Sequence, residues 1–234
     1  MFNEANTVER MILETVTDRR GFGNRVGLTV REAAPQYGES LGGELRPPRW
    51  QYVPAAQLPR QPTDVLVEAW VRDALIALNP EIAAQPERAD EVIYHLRAIL
   101  LSVHADGLVR ANENFMAWLR GEKTLPFGPN GEHVSVRLLD PTDPTRNTYT
   151  VTNQWVYQAG ANTKRFDVVF LVNGLPLVIG EAKTPTRDAV TWFDGAYQIH
   201  EIYERDVPAM FVPNVFVFAT EGKVYRYGAV RMPI

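Results

Sequence analysis

Apolar and polar residues recur with two different periods along the chain, and the period changes near residue 130. In the first part, apolar positions return every three to four residues, which is the spacing of one helix face. This spacing predicts helices over residues 7–20, 64–78, 86–103 and 109–120, with a Gly- and Pro-rich irregular stretch over residues 21–62 that contains one short strand. In the second part, β-branched and aromatic runs predict strands over residues 134–139, 149–157, 209–219 and 223–227, and one helix over residues 188–204.

The most informative stretch is the predicted hairpin over residues 166–183, which reads FDVVFLVNGLPLVIGEAK. Both arms are almost wholly apolar, so we expect each strand to be buried on both faces at the centre of a sheet. Asn173 and Gly174 supply the turn, because both residues accept a positive φ. Asp167, Glu181 and Lys183 lie at the open end, where buried charges are costly unless they neutralise one another or bind a metal.

The register of this hairpin decides whether the two carboxylates face each other. A regular two-residue turn would place Asp167 on the opposite face from Glu181, because side chains alternate along a strand. A three-residue loop ending at a left-handed Gly174, or a bulge at Gly180, would bring Asp167, Glu181 and Lys183 onto one face. We predict one of these two irregularities.

Together the elements predict an α/β fold, in which a central mixed β-sheet is flanked by helices. The first half, about residues 1–130, is mostly helical, and residues 131–234 form the sheet-based core. No repeat, low-complexity tract or clear linker divides the chain, so we expect a single domain over residues 1–234.

Composition narrows the range of functions. The 234 residues contain no cysteine, which excludes disulfides and thiolate metal sites. No apolar run approaches the ~20 residues that span a bilayer, and the start MFNEANTVERM lacks a signal-peptide pattern, so we expect a cytoplasmic protein. The net charge of −4 is not that of a free-standing nucleic-acid binder, so bound DNA would need a local basic patch or a partner.

The chemistry of the hairpin end suits a divalent cation. The carboxylates of Asp167 and Glu181 and the carbonyl of Ala182 are hard oxygen ligands of the kind that Mg²⁺ prefers, with Mn²⁺ as a substitute. Such an ion activates water and stabilises charge on a phosphate, and Lys183 would orient that water. The competing interpretation is a strand-end ion pair between Glu181 and a nearby arginine. Glu9, at the edge of the first helix's apolar stripe, is either a solvated carboxylate or a third acidic ligand.

The spacing Asp…Glu-x-Lys across a hairpin resembles the PD-(D/E)xK nuclease core. The closer resemblance is to the N-terminal nuclease domain of the R subunit of type I restriction-modification enzymes, carried by residues 147–154 (NTYTVTNQ), residues 172–178 (VNGLPLV) and the following Glu181 and Lys183. The resemblance implies a restriction-endonuclease-like fold that hydrolyses phosphodiester bonds in double-stranded DNA. In that family Asp167 and Glu181 would be metal ligands, Lys183 the catalytic lysine and Glu9 an early helical acid.

The resemblance also points to residues on the helix that follows the hairpin. Gln198 matches the glutamine of a Q-x-x-x-Y element, but Ile202 stands four residues later and Tyr203 five. Gln198, Tyr203 and Arg187 are predicted to contact DNA or orient the site, and Lys164 and Arg165 lie near enough in sequence to meet DNA phosphates.

Members of this family continue into ATP-driven motor domains and assemble with modification and specificity subunits. This chain contains no G-x-x-x-x-G-K-[ST] motif, so we expect it to be the N-terminal fragment of a longer subunit and not to bind ATP itself. The alternative from another class is a DNA-binding or docking module that keeps the fold without cutting. Binding of Mg²⁺ or Mn²⁺ at the acidic cluster separates the two.

Overall fold

The computed structural model describes residues 4–17, 49–184 and 190–232. Eight strands occur in these residues: β1 (Gln51–Tyr52), β2 (Thr124–Leu125), β3 (Val134–Ser135), β4 (Tyr149–Ala159), β5 (Asn162–Val172), β6 (Leu175–Ala182), β7 (Phe216–Thr220) and β8 (Tyr225–Gly228). Six of them form one sheet in the order β1-β4-β5-β6-β7-β8, and β2 pairs with β3 separately. The large sheet is mixed, because β1–β4 and β6–β7 are parallel pairs and the others are antiparallel. The predicted α/β class and mixed sheet are therefore confirmed.

The helices are α1 (Glu4–Val16), α2 (Glu68–Leu78), α3 (Pro80–Ala84), α4 (Arg88–Asp106), α5 (Leu108–Leu119) and α6 (Trp192–Tyr197). After α6 the chain continues as a π-helix (Gln198–Tyr203) and a last helical turn, α7 (Glu204–Asp206). All four helices predicted in the first half are present, although their bounds differ from those predicted. Residues 18–48, which include the end predicted for the first helix and most of the predicted irregular stretch, lie outside the described residues. Helix α2 ends at Leu78, as the sequence predicts, but the sequence missed α3, because Pro80 also occupies the first turn of a new helix, where a missing N–H costs nothing.

Two predicted strands are shorter than expected. Over residues 209–219, the strand begins only at Phe216, and Pro208–Phe211 forms a 3₁₀ turn. The apolar residues of that turn are buried in the core, so the run of apolar residues in the sequence resembles that of a buried strand. The predicted strand over residues 134–139 is limited to Val134–Ser135. The helix predicted over residues 188–204 begins at Trp192, where Thr191 and Asp194 form a capping box.

Helices cover both faces of the large sheet. The larger apolar core lies between one face and helices α2, α4 and α5, and includes Leu75, Leu96 and Phe115. A smaller cluster on the other face joins Val151, Val168 and Phe218 to the apolar stripe of α1. The strands at the centre of the sheet are thus buried on both sides, as their continuous apolar runs predict. None of the helices in the described residues is long and apolar enough to cross a membrane.

The hairpin between β5 and β6 contains an irregularity, but at neither predicted position. Asn173 and Gly174 form a two-residue turn with φ of 53° and 82°, and Val172 pairs with Leu175. Leu171 then pairs with Pro176, whereas Phe170 pairs with Val178, so Leu177 is the extra residue of a bulge. Pro176 has no N–H to donate to the ladder, and bulges are where sheets accommodate proline. The bulge brings Val168 opposite Gly180, so Asp167 and Glu181 lie opposite each other at the next position along the two strands.

Gly174 has the positive φ predicted for the turn, and both glycines of the hairpin are also in close contact with neighbouring groups. A Cβ on Gly174 would lie 2.6 Å from the carbonyl oxygen of Val67, so the turn packs directly against the chain before α2. A Cβ on Gly180 would lie 2.0 Å from the ring of Phe218, which covers the strand at that point. Gly180 is therefore required by close packing and not by a bulge.

Candidate active site

The hairpin end brings Asp167 and Glu181 together in a buried setting. Both side chains are buried, and Oδ2 of Asp167 accepts a hydrogen bond of 3.0 Å from the backbone N–H of Ala182. This hydrogen bond joins the side chain of Asp167 on β5 to the backbone of β6. Glu181 lies under α6, where a Cβ on Gly195 would come within 3.4 Å of its Cγ.

The alternation of side chains breaks in β4 and β5 at the level of Asp167. In β5, Val168 packs against α1, whereas Phe166, two residues earlier, lies in the larger core on the other face. In β4, Val151 and Trp155 show the same change over four residues. Even spacings keep side chains on one face of a regular strand, so each strand carries one irregular residue here.

The carboxyl group of Glu181 is buried beside a second acidic side chain, which makes its ionised form unfavourable. Burial, followed by the neighbouring charge of Asp167, raises the pKa of Glu181 to about 8, and Lys183 only partly offsets this. Within the part of the chain that the structure describes, Oε2 of Glu181 is buried and accepts no hydrogen bond. A cation placed between the two carboxylates would remove both penalties.

Lys183 is the cationic partner of Glu181. Its Nζ donates to Oε1 of Glu181 at 2.8 Å and to Oε1 of Gln198 at 2.6 Å, and the side chain is largely buried. Glu181 therefore forms its ion pair with Lys183, two residues later in the chain. The competing interpretation places an arginine in that role. Three of the residues singled out in the sequence, Glu181, Lys183 and Gln198, are in direct contact.

The π-helix brings Tyr203 into this group. An α-helix would stack residue 202 above Gln198, whereas the wider turn of a π-helix places the fifth residue there. The amide of Gln198 donates to the hydroxyl of Tyr203, which in turn donates to the carbonyl of Arg165 at 3.4 Å. Burial and the charge of Glu181 raise the pKa of Tyr203, so its hydroxyl keeps its proton. The spacing from Gln198 to Tyr203 is one residue longer than in the Q-x-x-x-Y element, and the wider turn of the π-helix accommodates that residue.

Glu9 reaches the site from α1. It is 1% exposed, so it is not a solvated carboxylate. Its oxygens accept hydrogen bonds from Nε2 of Gln154 at 2.9 and 2.8 Å and from Nδ2 of Asn153 at 3.2 Å. Burial and the nearby charge of Asp167 raise the pKa of Glu9, against the effect of these two amides and of Arg165.

Asn153 and Gln154 end the motif NTYTVTNQ, and the sequence assigns neither of them a role. The signal that identifies them is structural, since only the packing of α1 on β4 shows what their amides hold. Arg165 is exposed near Glu9 and Tyr203. Arg187 lies outside the described residues.

The donor set fits a hard divalent cation at the Asp167–Glu181 pair. Two carboxylates lie there, and Oε2 of Glu181 has no hydrogen-bond partner among the described residues. The backbone carbonyl of Ala182, next to Glu181 in the chain, is a further oxygen of the kind that such an ion prefers. Over residues 4–17, 49–184 and 190–232, no three acidic or histidine side chains are close enough together to hold an ion by themselves. Glu9 therefore lies beside this pair, held by its amides, and not in a closed three-carboxylate cage.

The fold and this cluster define an α/β protein with two carboxylates and a lysine at the open end of its central hairpin. The family described as type I restriction enzyme R protein N terminus matches residues 36–233. The chain belongs to this family.

Two relatives carry corresponding names. The chain is 31% identical over 163 residues to the type I restriction enzyme HindI endonuclease subunit of Haemophilus influenzae, a match that covers 68% of this chain and 15% of that subunit. It is 27% identical over 110 residues to the putative type I restriction enzyme MjaIXP endonuclease subunit of Methanocaldococcus jannaschii, covering 45% of this chain and 10% of that protein. The chain thus spans only a small part of the relatives that it matches.

Proposed function

We propose that this chain is the metal-dependent endonuclease domain of a type I restriction enzyme R subunit and that it hydrolyses phosphodiester bonds in double-stranded DNA. The observation that carries the proposal is the buried group of Asp167, Glu181 and Lys183, in which the lysine pairs with Glu181 and the charge of Asp167 lies beside it. Two facts support it: the chain's family, and the names of relatives that are endonuclease subunits. The mixed sheet flanked by helices fits a restriction-endonuclease-like core.

Asp167, Glu181 and the carbonyl of Ala182 would hold Mg²⁺, or Mn²⁺ in its place, with Glu9 as a further acid beside them. The bound ion supplies an acidified water and charge stabilisation at the phosphate. Lys183 lies next to Glu181 and directs an ammonium group at the site, which favours a hydroxide-like nucleophile over neutral water. The water oxygen forms a bond to phosphorus, one P–O ester bond breaks, and the departing oxygen takes up a proton.

Gln198 and Tyr203 restrict the freedom of the lysine. Gln198 accepts from Lys183, and its own amide is oriented by Tyr203, so the ammonium keeps one position as the substrate arrives. Catalysis depends on such fixed geometry, because a misplaced group loses much of its effect. Arg165 and Lys164 would meet phosphates of the bound duplex, and Arg187 is proposed for the same role.

The parent subunit would provide what this domain lacks. At a net charge of −4 the chain neutralises few phosphates by itself, so affinity for DNA would come from motor domains and from modification and specificity subunits. ATP would act only through those motor domains, coupling translocation to cleavage. We propose that residues 1–234 form one nuclease domain within that longer subunit.

A second candidate is a DNA-binding or docking module that does not cut. Two observations favour it: no three-acid group is formed in the described residues, and Lys183 is already engaged by Glu181 and Gln198. Metal binding separates this candidate from the nuclease, since a docking module has no need of an ion at Asp167 and Glu181.

The test is cleavage of supercoiled plasmid by the 234-residue chain at low salt with Mn²⁺. We expect cleavage by the wild type, none by Lys183→Ala, and wild-type cleavage by Lys123→Ala, whose lysine is exposed and away from the cluster. Cleavage by Lys183→Ala would contradict the assigned role. If the isolated chain does not cut, the same variants are compared in the full subunit with its partners and ATP, where an inactive wild type would leave only the docking module.

A further inference from the structure

We infer that Gln154 is a positioning residue, which holds the Glu9 carboxylate beside Asp167 so that Glu9 contributes to the metal site. This inference rests on the proposed function, because it assigns a role within the same acidic cluster. The sequence pattern assigns no role to Gln154.

The backbone of Gln154 is the first observation. Its φ is 56°, in the left-handed region that residues with a side chain rarely adopt, and it lies inside the long strand β4. Asn153 pairs with Val168 and Trp155 pairs with Phe166, so Gln154 occupies the level opposite Asp167. This strained backbone conformation of Gln154 indicates that the surrounding residues hold Gln154 in place.

The side chain of Gln154 is the second observation. Its Nε2 lies within 2.9 Å of both oxygens of Glu9, so one amide spans the whole carboxylate. In a regular strand, Asn153 and Gln154 would point to opposite faces. The left-handed turn at Gln154 allows both amides to reach the same carboxylate.

A further contact fixes the orientation of these donors. The hydroxyl of Tyr52 donates to Oδ1 of Asn153 at 2.8 Å, which turns the amino group of Asn153 towards Glu9. Glu9 is thereby held by strands β1 and β4, although it belongs to α1. Its charge lies close enough to Asp167 for the two carboxylates to influence each other.

These amides leave Glu9 able to take part in metal binding. Uncharged donors hold a carboxylate in place without neutralising it, in the way that outer-shell partners orient metal ligands. An arginine in the place of Gln154 would instead compete with the ion. The arrangement therefore fits an acid that is kept in place for a cation.

The experiment measures Mn²⁺ affinity of the 234-residue chain by electron paramagnetic resonance of the free ion. We expect Gln154→Gly to weaken binding about tenfold to a hundredfold, in the range known for outer-shell partners of metal ligands. Glycine adopts a φ of 56° without strain, so this variant removes the amide while the local backbone stays possible. Gln158→Gly is the matched control, since Gln158 is an exposed glutamine in the same strand.

A double variant distinguishes positioning from a purely structural role. If Gln154 acts through Glu9, the double variant Glu9→Gln with Gln154→Gly binds Mn²⁺ as weakly as Glu9→Gln alone. Effects that multiply would overturn the inference, as would wild-type affinity in Gln154→Gly or in Glu9→Gln. A wild-type chain that binds no Mn²⁺ would overturn the proposed function and this inference together. Unaltered Mn²⁺ binding by the variants would overturn this inference alone.

Discussion

Gln198 and Tyr203 are five residues apart in the chain, and their side chains are hydrogen-bonded because the helix between them is a π-helix. An α-helix would have turned Tyr203 away from Gln198 and brought Ile202 into its place. The contact matters because Gln198 also accepts from Lys183, so the tyrosine belongs to the support of the proposed catalytic lysine. π-Helical turns often occur at functional sites, where an inserted residue redirects a side chain.

This contact predicts that Tyr203→Phe lowers the rate of DNA cleavage while leaving the fold intact. The ring, which packs edge-on against Phe166, is retained, and only the hydroxyl that orients Gln198 is lost. We expect roughly a tenfold loss in cleavage rate and a change of about 1 kcal/mol in the free energy of unfolding, the size of one hydrogen bond. Tyr197→Phe, at a half-exposed position of the same helix, should cleave normally, and an equal loss in both variants would contradict the prediction.

Asp167→Asn should abolish both metal binding and cleavage. In the wild type we expect Mg²⁺ or Mn²⁺ to raise the melting temperature, because an ion that binds only the folded chain stabilises it by mass action. The variant loses one charged ligand at the pair and should show no such rise in a thermal melt. An unchanged metal-dependent shift in Asp167→Asn would place the ion elsewhere.

Glu181 predicts how stability depends on pH in the absence of metal. Its folded pKa of about 8 is raised from an ordinary value of 4.5, so the folded chain holds a proton that the unfolded chain has released at intermediate pH. The free energy of unfolding should therefore fall as pH rises from about 5 to 8, by an amount on the order of 3 kcal/mol.

Urea unfolding in EDTA at pH 5.5 and 8 measures this effect. Glu181→Gln removes the titrating group, so its stability should change less between the two pH values. Saturating Mg²⁺ should oppose the loss of stability at pH 8 in the wild type, since a bound cation favours the ionised carboxylate. A steeper pH dependence in Glu181→Gln than in the wild type would contradict the assignment.

Gly180→Ala should destabilise the domain by about 1–3 kcal/mol, the usual cost of overpacking a core. The new methyl group would overlap the ring of Phe218, which packs between Phe170 and Tyr225 and has little room to move. Combining Gly180→Ala with Phe218→Leu should recover part of the loss, because the smaller side chain leaves space for the methyl group. Equal stabilities of Gly180→Ala and the wild type by urea unfolding would rule out this packing argument.

Much of the fold and of the candidate site was predictable because its signals are local. The helices over the first half and the buried hairpin follow from periodicity and β-branched composition, which depend on neighbours a few residues away. Asp167, Glu181 and Lys183 were recognisable because charges at the end of an apolar hairpin are exceptional. Errors arose where one local pattern fits two structures. The apolar residues of the buried 3₁₀ turn Pro208–Phe211 resemble a strand, and Pro80, which follows the end of α2, also begins α3.

By itself, the sequence determined the α/β class, the mixed sheet, the hairpin and the acidic pair with its lysine. Only the tertiary structure decided the bulge at Leu177, the engagement of Glu9 by Gln154 and the contact between Gln198 and Tyr203. The reason is that these features depend on which distant segments pack together. Glu9 and Gln154 are far apart in the chain. The irregular backbone at Leu177 and at Gln154 is held by contacts with other segments, which the preferences of neighbouring residues do not specify.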